Sequence, residues 1–284
     1  MYVVTGATGQ LGRLTIEELL RTVPADQVVA AVRAPEKAAD LAARGVQVRE
    51  ADYDRPETLR AAFEGARKVL LISGNEIGRR VPQHQAAVDA ARQAGAELLA
   101  YTSILHADAT PISLGPDHRA TEEYLRGSGL PFSLLRNGWY HENYVPSAQQ
   151  AVATGTLIGS AGDGRVASAA RADYAAAAAA VLTGDNHDNT VYELSGDTAW
   201  SMPELAAILT EISGTPVTYQ DLPNERHTEV LLAAGLPEPV ATMFAGFDAR
   251  IADGWLADTP GTLATLIGRP TTPLRATLAA ELKG

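Results

Sequence analysis

Seven residues near the start of the chain have types and spacing suited to one kind of chemistry. Gly6, Ala7, Thr8, Gly9, Gln10, Leu11 and Gly12 place glycines in a G-x-x-G-x-x-G pattern. Gly6 suits a tight turn, Gly9 lets the backbone approach a pyrophosphate, and Gly12 lets a helix pack closely on a strand. A helix starting at such a turn offers free N–H groups and partial positive charge to phosphates. The pattern alone also marks ordinary turns, so its flanks matter. The run Val3, Val4, Thr5 precedes it as a strand, and Ile16, Leu19, Leu20 and Val23 follow at helix spacing. Strand, glycine turn and helix in that order point to a dinucleotide.

The next strand, 28–33, selects which dinucleotide. It closes on Ala30, Ala31, Val32 and Arg33, with no carboxylate. NAD sites of this type usually carry Asp or Glu there for the ribose 2′-hydroxyl. Arg33 is placed to fork onto a 2′-phosphate instead, so the expected cofactor is NADPH. The alternative is a solvated arginine at a strand end. Asp52, after the third strand, either reaches the adenine amino group or serves a local turn. Ser73, Gly74 and Asn75 follow the apolar run 69–72, and Tyr101, Thr102 and Ser103 follow or close the strand 98–102. Both places face the crevice of the glycine turn, because ligands lie beyond the carboxyl ends of parallel strands.

The stretch 136–144, RNGWYHENY, is dense in amides and aromatics. Asn137 and Asn143 are candidates for the nicotinamide carboxamide. Gly138 lies between them and Trp139 and Tyr140, which offer flat ring faces. The same residues also suit a packed aromatic corner. His106 and His118 are candidate proton donors, though a lone histidine is more often surface or satisfied core. Ser103 ends the fifth strand as it does in short-chain dehydrogenases. The Tyr-x-x-x-Lys pair those enzymes use is replaced here by His118, Arg119, Ala120, Thr121 and Glu122. That departure bears on mechanism. Reducing a ketone makes an alkoxide whose conjugate acid is about as weak as water, pKa ~15.7, and needs a positioned donor. Reducing a quinone makes a phenolate-like oxygen with pKa nearer ~10. Lack of acid–base machinery therefore suits a good hydride acceptor or no catalysis.

The elements that must position these groups alternate. Helices are expected over 35–41, 56–63, 82–94 and 117–126, and strands over 46–51, 69–72, 98–102 and 132–136. This is the βαβ signature of a Rossmann-type, doubly wound parallel sheet. Residues 1–136 form the expected NADP-binding domain and 137–284 a smaller C-terminal α/β lobe on the substrate side. The boundary near Arg136 is soft, because the short strand 191–194 is a candidate to return to the main sheet. Asp173 is expected to cap an alanine-rich helix over 174–182. Ser201 and Glu204 have capping-box spacing before a helix over 205–213, and 217–220 reads as a strand.

Bulk composition narrows the function. The chain has 284 residues, 46% hydrophobic and 20% charged, with net charge −11. That charge argues against nucleic acid or an anionic membrane as the main partner. With no cysteine, disulfides, thiolate nucleophiles and Cys-ligated metals are out. No His or carboxylate spacing suggests a metal, and Ser103 has no convincing triad partners. A cytoplasmic monomer or homodimer is expected.

With these residues in place, the chain resembles the NmrA-like branch of atypical short-chain dehydrogenases. Within it, the likeness is greatest to the bacterial NAD(P)H:quinone oxidoreductases of type 2. The carriers are TGATGQLG (5–12), VPADQVVAAVR (23–33), LLIS (70–73), AYTSILHAD (100–108) and LLRNGWYHENY (134–144). AGDGRVASAARADYAAAAA (161–179) and LIGRPTTPL (266–274) extend the likeness toward the C-terminus. The resemblance implies NADPH bound by residues 6–12, Arg33, 73–75, 101–103 and 137–143. It implies two-electron reduction of a quinone without flavin or metal. His106, Trp139 and Tyr140 are the expected acceptor pocket. Two alternatives stand beside this reading. One is reduction of another electrophile, such as a triphenylmethane dye or an activated alkene. The other is a non-catalytic NADP(H) sensor.

Overall fold

The computed structural model describes residues 1–76 and 78–283. The first half runs β1 (Tyr2–Thr5), α1 (Gln10–Leu19), β2 (Val28–Val32), α2 (Ala39–Ala43), β3 (Gln47–Glu50), α3 (Pro56–Ala62) and β4 (Lys68–Leu71). It continues with α4 (Arg80–Gln93), β5 (Leu98–Ile104), α5 (Gly115–Gly127) and β6 (Phe132–Asn137). The second half holds α6 (Val145–Thr154), β7 (Thr156–Gly159), β8 (Arg165–Val166), α7 (Arg171–Thr183), β9 (Thr190–Leu194) and β10 (Trp200–Ser201). It ends with α8 (Met202–Ser213), β11 (Thr218–Asp221), α9 (Asn224–Ala233), α10 (Glu238–Ala252), α11 (Thr262–Ile267) and α12 (Leu274–Glu281).

Seven strands form one parallel sheet in the order β3-β2-β1-β4-β5-β6-β9. The chain reverses direction across the sheet between β1 and β4, so the crevice opens above those strand ends. The strands read as continuous apolar runs because helices cover both faces. Alternate residues go to opposite layers: Val4, Ala30 and Leu70 to the α1/α7 side, and Val3, Ala31 and Leu71 to the α3/α4/α5 side. The alanine-rich α7 lies against α1, and its small side chains permit a close approach. The doubly wound α/β architecture read from the sequence is the one observed.

β9 pairs in parallel with β6, from Ser133 opposite Thr190 to Asn137 opposite Leu194. It is the return to the main sheet that the short strand 191–194 suggested. Of the other elements after β6, α7 and α11 join the core beside α1, while α6, α8, α10, α12 and the short strands build a third apolar core around Leu157, Trp200, Leu205, Phe247 and Leu278. There β11 pairs with β7 and β10 with β8.

The capping box is present: Ser201 Oγ accepts from Glu204 N–H, and Glu204 accepts from Ser201 N–H. The expected cap at Asp173 is not. The N-cap of α7 is Ala170, and the Glu142 carboxylate accepts the Arg171 N–H at 3.0 and 3.1 Å. Asp173 is fully buried inside the first turn. It accepts from Thr272 N–H at 2.7 Å and Thr272 Oγ1 at 3.0 Å, and pairs with Arg269 at 2.7 Å. An acid at that position is drawn to the C-terminal segment, and the cap comes from elsewhere in the chain. No helix among the described residues is long and apolar enough to cross a membrane.

Candidate functional site

The glycine turn is built as its spacing requires. Gly6 has φ +58, and Gly9 N–H donates back to Gly6 O at 2.9 Å. A Cβ on Gly12 would sit 2.4 Å from Gly6 O and 2.8 Å from Ala7 Cα. Only a residue without a side chain lets α1 approach this closely. Gly9 caps α1 with no side-chain bond, and the first turn has no acidic residue. Its N–H groups and the helix dipole thus remain available for an anion. Gly6, Gly9 and Gln10 are exposed, Thr8 is half-buried, and Leu11 turns into the core.

Arg33 follows β2 directly with its side chain 73% exposed, Nη1 lying 3.2 Å from Glu76 Oε1. Glu76, absent from the sequence reading, also meets Arg79 at 3.3 Å and Gln83 Nε2 at 3.2 Å. Asp52 stays in its own turn, accepting from Asp54 N–H at 3.1 Å and Arg55 Nε at 3.2 Å. The Asp54 N–H, aided by Arg55 and Arg33, holds its carboxyl below the usual range. The local-turn alternative describes these contacts.

The strap after β4 runs beside β5. Ser73 N–H donates to Thr102 Oγ1 at 2.9 Å and Gly74 N–H to His84 Nε2 at 3.0 Å. Asn75 is exposed. Tyr101 lies elsewhere: its ring is 0% exposed in the core, and its hydroxyl is 2.8 Å from His118 Nδ1. Burial pushes that phenol well above its ordinary range. The Tyr101 side chain therefore has no open surface for a ligand.

Ser103 is committed to a buried ion-pair network. Its Oγ donates to Glu122 Oε1 at 2.6 Å. Arg136 grips the same carboxylate through Nε at 3.0 Å and Nη2 at 2.7 Å. Arg136 Nη1 reaches Glu193 at 2.8 Å and Asp108 at 3.2 Å. Glu122 is the fifth residue of the segment standing where Tyr-x-x-x-Lys would be, so its position was legible while its partner was not.

The two histidine candidates do not meet. Burial, with Arg80, holds His118 well below its usual range, and Arg80 Nη2 donates to its Nε2 at 2.9 Å. It is a neutral core histidine, not a proton donor. His106 has a left-handed backbone, φ 53, and its Nε2 lies 2.9 Å from Asp258. It lines a cavity of about 270 Å³ with Asp108, Ala109, Asp253, Gly254, Trp255 and Asp258.

Trp139 and Tyr140 are not part of that cavity's lining. Trp139 packs edge-on against Phe247 at 4.8 Å between ring centres. Tyr140 meets the Tyr174 ring at 5.1 Å, and Arg171 lies over it at 4.9 Å. The aromatic-corner alternative fits these contacts. Gly138 is needed for packing, since a Cβ there would meet Leu105 at 2.9 Å and Leu194 O at 3.0 Å. Asn143 is exposed in a short turn. Asn137 is more suggestive. Its Nδ2 donates to Tyr140 Oη at 3.3 Å, while its buried Oδ1 has no partner among the described residues. A buried orphan acceptor calls for a donor, and a carboxamide NH2 is one. Together with the cradle at Gly6–Gly12, it shows that the residues fit a nicotinamide dinucleotide.

A family of NAD(P)H-binding proteins matches residues 6–185. The chain belongs to that family. It is 52% identical to quinone oxidoreductase 2 of Escherichia coli over 274 residues, 96% of each chain. The crystal structure of an NADPH-dependent quinone oxidoreductase from Escherichia coli, complexed with NADPH, superposes with TM-score 0.97 at 50% identity over 100% of both chains. The Citrobacter sp. triphenylmethane reductase complexed with NADP(H) gives TM-score 0.96 at 41% identity, covering 99% and 100% of the two chains.

Proposed function

We propose that this chain is an NADPH-dependent quinone reductase in which a hydride passes directly from the nicotinamide to the quinone. The observation that carries the reading is the Ser103–Glu122 bond. Where a ketone reductase needs a proton donor, this chain places a carboxylate already engaged by Ser103 and Arg136. A quinone suits such a site, because its reduced oxygen is acidic enough to leave as the anion or be protonated by water. The 52% identity to quinone oxidoreductase 2 of Escherichia coli supports the same acceptor.

In this reading, residues 6–12 and the α1 N-terminus hold the pyrophosphate. Arg33 holds the 2′-phosphate, and the 73–75 strap lies along the adenosine half. Asn137 Oδ1 accepts from the carboxamide and orients the ring. The 137–284 side shapes the acceptor pocket, with His106, Trp139 and Tyr140 near its rim. Neither His106 nor His118 is required as an acid. A cytoplasmic location and a monomer or homodimer complete the reading.

The test is loss of NADPH absorbance with a simple quinone, beside the same assay with NADH. Rapid loss with NADPH alone is expected. No loss with any of several quinones, while calorimetry still shows NADPH binding, would overturn the acceptor assignment. It would favour a dye, an activated alkene or a sensor.

A further inference from the structure

Three consecutive backbone N–H groups at the end of β4 are each taken by a side chain from a different element. Ile72 donates to Thr5 Oγ1 of β1 at 3.0 Å, Ser73 to Thr102 Oγ1 of β5 at 2.9 Å, and Gly74 to His84 Nε2 of α4 at 3.0 Å. The strap is thus pinned from both flanking strands and from the helix layer. Two of the anchors are buried threonines. The third is a fully buried imidazole that no step of the proposed reaction uses. We propose that His84 is a positioning residue for NADPH, acting through the Gly74 amide. The proposal rests on the reading that the 73–75 strap touches NADPH.

The chemistry around His84 is arranged to keep Nε2 an acceptor. A backbone amide can only donate, so Nε2 carries no proton and Nδ1 carries it. Nδ1 lies 3.0 Å from Thr121 Oγ1, whose hydroxyl donates to Asp117 O at 2.9 Å. The donors therefore run one way, from imidazole to hydroxyl to carbonyl. The ring is wedged edge-on between Tyr53 and Tyr101, which fixes its angle. Arg80, 4% exposed, places a permanent charge next to the pair His84 and His118. Burial and that charge hold the His84 imidazole down to about 3, so a second proton on Nε2 is disfavoured. A protonated Nε2 would face the Gly74 N–H donor to donor and release the strap.

Without the Gly74 anchor, the strap keeps two of its three fixings, but its outermost residues move freely. Ordering them on binding then costs affinity, while the nicotinamide end, held by other elements, is unaffected. The effect belongs in NADPH affinity and not in turnover.

The experiment compares unaltered protein, His84→Phe and His84→Gln by NADPH calorimetry and by kcat at saturating NADPH. Gln can supply an acceptor oxygen at a similar reach; Phe fills the space without one. For H84F we expect the NADPH Kd to rise roughly tenfold, as for loss of about one hydrogen bond, with kcat within about twofold. For H84Q we expect a Kd within about threefold of the unaltered protein. Equal Kd values for H84F and the unaltered protein would overturn the proposal, as would equal weakening in H84F and H84Q. If H84F does not fold, amide exchange of Gly74 in the unaltered protein decides. Protection comparable to that of β4 supports the anchor, and free exchange overturns it. Failure of the unaltered protein to bind NADPH would overturn the cofactor reading itself, and is told apart because it precedes any variant.

Discussion

Ser103 Oγ and Glu122 Oε1 lie 2.6 Å apart, both residues almost fully buried, and Arg136 closes on the same carboxylate from the other side. The hydroxyl that short-chain dehydrogenases hold at this strand end is instead a strut between β5 and α5. Its hydrogen points at an acid, not at the crevice.

Removing the central cation should therefore damage the fold before it damages the chemistry. Arg136→Met leaves the buried Glu122 with only Arg126, 4.0 Å away, and strips the half-buried Glu193 of its partner. Breaking a buried pair in this way typically costs about 3–5 kcal/mol. Urea unfolding should show a loss of unfolding free energy of that size, read as a lower midpoint. A loss of less than about 1 kcal/mol would mean the network is not an energetic unit.

Arg33 and Glu76 give a prediction about cofactor choice. Arg33→Ala should raise the NADPH Kd by roughly ten- to a hundredfold, the loss of a charge-assisted phosphate contact, and leave NADH binding nearly unchanged. Glu76 must surrender Arg33 when a 2′-phosphate arrives. Glu76→Gln should then tighten NADPH by a few-fold and leave NADH alone, a modest effect because the pair is exposed. Fluorescence titration with both nucleotides separates these outcomes.

Gly12→Ala tests the close approach of α1 to the first turn. The added methyl would lie 2.4 Å from Gly6 O, a backbone atom that cannot swing aside. Overpacking of this kind costs about 1–3 kcal/mol or more. The variant should melt several degrees lower and bind NADPH weakly. Normal melting with normal binding would mean that the turn relaxes more easily than its packing implies.

Acid should destabilise the protein at a pH where most carboxylates are still ionised. Burial holds His84 down to about 3, His141 to about 4 and His118 well below its usual range. Each takes up a proton near pH ~6.5 when unfolded. Between that pH and the folded values, the unfolded state binds more protons, so stability rises with pH and falls on acidification. Each histidine contributes a slope of up to about 1.4 kcal/mol per pH unit. Calorimetric melting at pH 7.5 and pH 5 should differ by on the order of 10 °C. A flat profile would mean that these histidines are not neutral in the fold.

Much of the first half could be read from residues alone, for a physical reason. Strands covered on both faces are unbroken apolar runs, and glycine or proline marks their ends. The glycine turn was legible because its strand and helix are its immediate neighbours. What the chain's order hides is direction. Tyr101 and Ser103 are two apart on β5, so the pleat sends both toward α5, to His118 and Glu122, while Thr102 meets the Ser73 amide. A motif read as three consecutive letters cannot show that split. Glu76, His84 and Glu193 act through partners that only the packed layers bring near. β8, two residues long, is too short to carry a periodicity of its own.

The position of β9 has a consequence for inheritance and engineering. This strand is supplied by residues 190–194, yet it closes the sheet edge beside β6. A fragment ending at residue 136 would bare that edge, with its unmet amides and carbonyls, and invite sticking to other chains. The first half is thus no detachable cassette. Any recombination that exchanges the later half for another must also bring a strand that fits β6. Swaps between cousins should succeed when the crossover lies beyond residue 194, or when the incoming half carries a strand that fits β6.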